Sequence, residues 1–221
     1  GVDAADLVAL DGKTSVKINA KAITTAGIEG SAAELKKLVA SKGIELAKDV
    51  NLTVEPTEIV KAADLAAILK ATTGVVKATV LADTAAKLNA ALKDANSSDA
   101  LKLTVNGTTA TAKDLISLDG KTSASIVLNV GAITGNIAEI TEVFVTNKDN
   151  FTNEDTTAAT ISGEITAAQA DAVAVKTSGV VTATIKADSA VVLNAVLVDG
   201  STTPTVNAYK LTVNGATASA A

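Results

Sequence analysis

The sequence predicts an α/β repeat protein, a solenoid of about eight helix-strand coils with a parallel sheet, and three observations carry that expectation. The chain repeats itself at long range, each long repeat alternates helical with strand-like patterning, and its apolar residues are almost all aliphatic. The long repeat is plainest in "DLVALDGKTS" (residues 6–15), which returns as "DLISLDGKTS" (114–123). "TTGVVKATVLADTAAKLNA" (72–90) returns as "TSGVVTATIKADSAVVLNA" (177–195), and "KLTVNG" stands at both 102–107 and 210–215. The copies are about 105 to 108 residues apart, and a fixed internal period outranks any local motif as a guide to architecture.

Each long repeat subdivides roughly every 26 residues into a helical segment followed by a short β-rich run. The runs are "VKIN", "NLTV", "KATV" and "KLTV" in the first half and "VLNV", "AATI", "TATI" and "KLTV" in the second. Before them, apolar residues recur at i, i+3 and i+4, as in Leu35, Leu38, Val39, then Leu65, Ile68, Leu69, then Leu88, Ala91, Leu92, which is the inward stripe of a short helix. Ser31 with Glu34, Asn136 with Glu139 and Thr166 with Gln169 have the capping-box spacing, and Asp83 and Asp188 are expected N-caps. A helix of about 10 residues rises roughly 15 Å and a strand of five extends about 17 Å, so one helix out and one strand back close a coil. Residues 1–112 form the first long repeat and 113–221 the second, read as one continuous solenoid. The alternative is two tandem α/β domains meeting near Thr111, where "NGTTATAKDL" runs on without a linker-like composition.

Composition excludes several function classes. Hydrophobic residues make up 48% of the 221 and aromatics 1%, so Ala, Val, Leu and Ile build the core. Cys, His, Met, Trp and Arg are absent and all 19 basic residues are Lys. Disulfides, a thiolate nucleophile and the commonest general base are therefore missing, and the chain is not expected to be an enzyme. A net charge of −5, with no Arg forks and few aromatics, argues against nucleic acid as a partner. No apolar run approaches the roughly 20 residues that span a bilayer, so membrane insertion is not expected. The chain opens at Gly1 with neither Met nor a signal-like segment, from which either a removed leader or a piece of something longer is expected.

Gly-Lys-Thr-Ser resembles the tail of a phosphate loop, but Leu7 and Leu115 stand where its first glycine belongs. The reading is instead a helix end, with Leu7, Leu10, Leu115 and Leu118 in the core, Asp11 or Asp119 closing the last turn and Gly12 or Gly120 as a left-handed C′ residue. Along the strands, Asn19, Thr53, Thr79, Thr104, Asn129, Thr160, Thr184 and Thr212 share one phase and are expected to form a ladder on the sheet face away from the helices. The outward positions two residues earlier include Lys17, Lys77, Lys102 and Lys210, which favours a solvated face of strand formers over an ice-binding grid. "NKDNFTNED" (147–155) interrupts the repeat as a polar insertion; if it binds calcium, Asp149, Asn153 and Asp155 are the candidate ligands.

The second half ends in register with Lys113, so the residue after Ala221 would begin another unit, and neither terminus carries a clear cap. The chain is therefore expected to be a segment of a longer array or a subunit stacking head to tail on copies of itself. The Ala/Thr/Val-rich repeats with "DL..LDGKTS" and "LTVNG" resemble tandem repeats in very large cell-surface or secreted proteins of marine cyanobacteria and related bacteria. That resemblance implies an extracellular or cell-surface structural role. The expected function is a non-enzymatic repeat module of an extracellular filament, surface layer or adhesin, its partners being other copies of itself or adjacent repeats. The alternative is a glycan- or calcium-binding adhesin or virion-fibre module.

Overall fold

All eight helical segments form, each beside short parallel strands. The structure, a computed structural model, describes residues 1–197 and 206–215. The expectation placed on Ala221 lies outside them. The chain divides into two compact units, one made of Gly1–Val105 with Ser117–Ile126 and the other of Asn106–Ile116 with Val127–Ala221.

In the first unit the order is β1 (Val2–Asp3), α1 (Ala4–Asp11), β2 (Ile18–Ala20), β3 (Ile28–Gly30), α2 (Ala32–Ala40), β4 (Ile44–Leu46), β5 (Leu52–Val54), β6 (Ile59–Val60), α3 (Ala62–Ala71), β7 (Val76–Val80), α4 (Ala85–Ala91) and β8 (Ala100–Lys102). Strands β1, β3, β5, β7 and β6 are neighbours in one sheet, with β8 also on β7. Then follow β9 (Thr104–Thr111), α5 (Ala112–Asp119), β10 (Ile126–Asn136), α6 (Ile137–Thr141), β11 (Phe151–Thr152), β12 (Ala158–Ile165), α7 (Ala167–Ala174), β13 (Val181–Ile185), α8 (Ala190–Val196) and β14 (Ala208–Lys210). Here β11, β10, β12, β13 and β14 are neighbours, with β9 also on β10. Paired residues lie one coil apart in parallel strands, as in Ile28 with Leu52, Leu52 with Val76 and Ala159 with Val181. The α/β class with parallel sheets holds, and one six-stranded sheet in each unit fits the two-domain alternative.

The helices form for the reasons the pattern indicates. Ser31, Asn136 and Thr166 make full capping boxes with Glu34, Glu139 and Gln169. The stripe Leu35, Leu38, Leu65, Ile68, Leu69, Leu88 and Leu92 is buried, and each such leucine contributes about 1.5–3 kcal/mol relative to its exposed state. Helix α2 packs between α1 and α3, and α7 between α6 and α8.

Several expectations need correction. The N-caps of α4 and α8 are Thr84 and Ser189; Asp83 and Asp188 sit one residue earlier and accept from the N–H groups of Thr84 and Ser189. Gly12 is right-handed (φ −67°), because α1 tightens through bonds to Val8 and Leu10 rather than reversing its hand; Gly120 is likewise not among the positive-φ glycines. Leu10 is 49% exposed, although its repeat partner Leu118 is fully buried. The "VKIN" run does not join the main sheet: β2 pairs with β4 in a separate two-stranded sheet, and β3, from "IEG", takes the main-sheet position. Both "IEG" and "IEL" are too short to stand out from neighbouring loops.

The threonine ladder also fails in register. Thr53 lies opposite Lys77, Thr79 opposite Lys102 and Thr184 opposite Lys210, so each partner is two residues earlier than equal phase would place it. Thr160 pairs with Thr134 and Thr182, not with Asn129. A slip of two leaves every inward residue inward: Leu52, Val54, Val76, Ala78, Val80 and Leu101 are all buried. Outward rungs therefore alternate half-exposed Thr with exposed Lys.

Candidate functional site

The most regular polar feature is a hydroxyl staple between successive coils. After α3, Thr72 Oγ1 donates to Val50 O (2.6 Å) and accepts from Gly74 N (2.8 Å), while Thr73 N donates to Lys48 O (2.7 Å). After α7, Thr177 Oγ1 donates to Thr157 O (2.7 Å) and accepts from Gly179 N (2.9 Å), and Ser178 N donates to Asp155 O (2.7 Å). After α5, Thr122 Oγ1 donates to Leu101 O (2.8 Å) and accepts from Ala124 N (3.1 Å), with Ser123 N on Asp99 O (2.7 Å). Thr122 Oγ1 also accepts from Leu101 N. Each staple seats a Thr and its neighbour on two carbonyls of the preceding coil, spaced two residues apart. Before β7 and β13 that anchoring accompanies the two-residue stagger; β8 and β14 show the same stagger with Asp99 and Asn207 accepting from Val76 N and Val181 N in place of a staple.

The glycines complete the fit. A Cβ on Gly74 would lie 2.6 Å from Val50 O, and one on Gly179 would lie 2.6 Å from Thr157 O, inside any tolerable contact. Thr122 and Thr177 are buried polar side chains, and burial is tolerated because their hydroxyls are bonded. In the sequence alone "GKTS" reads only as an exit toward the strand. The missed signal was the recurrence of Thr-Thr-Gly, Thr-Ser-Ala and Thr-Ser-Gly behind helices α3, α5 and α7.

A buried carboxylate supports one staple. Asp99, 1% exposed, accepts from Val76 N (2.7 Å), Asn96 N (2.9 Å) and Asn96 Nδ2 (3.2 Å). Burial pushes its carboxyl above the ordinary range, against the pull of the Asn96 and Val76 N–H groups. In the second repeat Asn207 takes the aligned place and accepts from Val181 N (2.9 Å).

The acidic insertion is more structured than a polar surface loop. A π-helical turn (Glu142–Thr146) continues α6 and buries Val143 and Phe144, and Phe151 is buried in β11. The three calcium candidates are committed differently. Asp149 is highly exposed and pairs with Lys148 (3.0 Å). Asn153, at φ 71°, donates through Nδ2 to Leu128 O (3.3 Å). Asp155 holds Ser178 through its backbone carbonyl. Burial, with the nearby Asp155 and Asp149 charges, raises the Glu154 carboxyl. Among the described residues no group of three or more acidic side chains is placed to hold a metal ion, and no helix is long and apolar enough to cross a membrane. Comparisons with protein-family models, curated proteins and solved structures found no match.

Proposed function

We propose that the chain is a non-enzymatic structural repeat module of an extracellular filament, surface layer or adhesin, its coils stacked as an α/β solenoid and its modules assembling end to end. The supporting observation is the staple. The same Thr-centred bonds join successive coils in both units, so the polar chemistry that recurs along this chain serves coil-to-coil attachment. In such a stack each coil is stabilised by its neighbours. Immunogold labelling of the producing cells, with negative-stain imaging of the purified chain at rising concentration, tests the reading; label confined to the cell interior and an absence of assemblies would oppose it.

A second reading, a calcium-binding adhesin module, draws on the Asp155 and Asp149 charges, which after burial add to the raising of the Glu154 carboxyl and which a cation would offset. Calorimetric titration with calcium chloride decides it: saturable heat that is lost in Asp155→Asn supports a site, and a flat trace removes it.

A further inference from the structure

The first and last coils carry two halves of the contact that is complete inside the chain. Residues 9–18, "ALDGKTSVKI", align with Ser117–Ile126, "SLDGKTSASI". In the inner copy Leu118, Thr122 and Ile126 are buried, and Lys121 Nζ donates to Leu92 O (3.1 Å). In the outer copy Leu10 is 49% exposed, and Lys13, Thr14 and Val16 are exposed. The outer staple is nevertheless already folded, since Thr14 Oγ1 accepts from Val16 N at 3.0 Å as Thr122 does from Ala124 N at 3.1 Å.

The receiving half stands in the last coil. Leu92, Leu101, Leu103 and Val105 are buried in the first repeat, whereas the aligned Leu197 and Tyr209 are half-exposed, Leu211 is 47% exposed and Val213 58%. With Leu193 and Val206 these residues line an apolar groove.

We propose that residues 9–18 of one copy seat in this groove of a second copy. Leu10 enters between the apolar walls, Thr14 Oγ1 donates to the Tyr209 carbonyl, Ser15 N donates to the Asn207 carbonyl, and Lys13 Nζ reaches the Leu197 carbonyl. Each bond copies one made inside the first unit by Thr122, Ser123 and Lys121. The occupant is a second copy because the inner groove is filled by this chain's own version of the segment. The contact is heterologous, a head on a tail. It rests on the structural-module reading and names the surfaces by which that module assembles.

The test uses the whole chain and two single substitutions at exposed positions, Leu10→Glu (head) and Leu211→Glu (tail), with circular dichroism melts to verify folding. In sedimentation velocity from micromolar to millimolar concentration, the unsubstituted chain is expected to grow with concentration. Each variant alone is expected to associate at least about tenfold more weakly. An equimolar mixture, which retains one intact head and one intact tail, should form one-to-one dimers and nothing larger. A monomeric unsubstituted chain at every concentration overturns the proposal together with self-assembly. Association that both substitutions leave unchanged, or variants that fail to complement, overturns the head-to-tail surface alone and leaves a structural module assembling by other faces.

Discussion

Residues 83–105 and the described parts of the second copy, 188–197 and 206–213, repeat one coil in different surroundings. Helices α4 and α8 start identically: Thr84 Oγ1 accepts from Lys87 N (3.5 Å) and Ser189 Oγ from Val192 N (3.3 Å). Both coils close with the same kind of bridge, Asp83 to Val105 and Asp188 to Val213. Their side chains nonetheless differ in burial, Leu103 at 1% against Leu211 at 47% and Val105 at 0% against Val213 at 58%. Local structure follows the repeat, while burial follows the neighbour. The inner coil is followed by the stapled segment Ser117–Ile126, and the stability it gains belongs to that junction.

Unequal truncations would show this most strongly. Leu103→Ala should cost about 3 kcal/mol, in the range for a buried leucine, and Leu211→Ala under about 1 kcal/mol, read as shifts of the urea midpoint. Equal losses would mean the last coil is as covered as the inner one. Next in size, Thr122→Val deprives the Leu101 and Ala124 N–H groups of an acceptor and the Leu101 carbonyl of a donor, at about 2 kcal/mol. Thr14→Val, at an exposed position, should stay within about 0.5 kcal/mol for the monomer. The caps provide the control: Thr84→Ala and Ser189→Ala should each cost about 1 kcal/mol, and a large inequality would deny that the two helices are locally alike.

The smallest effect is a pH dependence that separates Asp99 from Asn207. Because burial raises Asp99 in the folded chain, its contribution is fully present below the unfolded carboxylate value of about 3.9 and is lost as pH rises through the raised folded value. Urea midpoints of Asn207→Asp across the acid range should gain the same sign of slope, and Asp99→Asn should lose it. A slope of opposite sign in the Asp99 chain would mean that the Asn96 and Val76 bonds outweigh burial.

Helix positions were legible because capping boxes such as Ser31–Glu34 and stripes such as Leu65–Ile68–Leu69 are written in neighbouring residues, and the structure keeps them. Strand faces were legible for the same reason. The separate β2–β4 sheet was not, since three-residue strands such as Ile44–Leu46 carry too little alternation to read. The staples were visible only as repeated letters; nothing local says that Thr72 reaches Lys48 and Val50 rather than water. Among the calcium candidates, Asn153 offers an oxygen in the sequence, while in the tertiary structure its side-chain nitrogen donates to Leu128 O.

By itself the sequence determined the repeat, the positions of the eight helices, the capping boxes at Ser31, Asn136 and Thr166 and the buried faces of the inner strands, because these depend on spacings of two to four residues. Only the tertiary structure decided the two-residue stagger, which sheet each short strand joins, and which of two like leucines is covered. Alternation has period two and is unchanged by a slip of two, and the cover over a side chain comes from a coil more than twenty residues away.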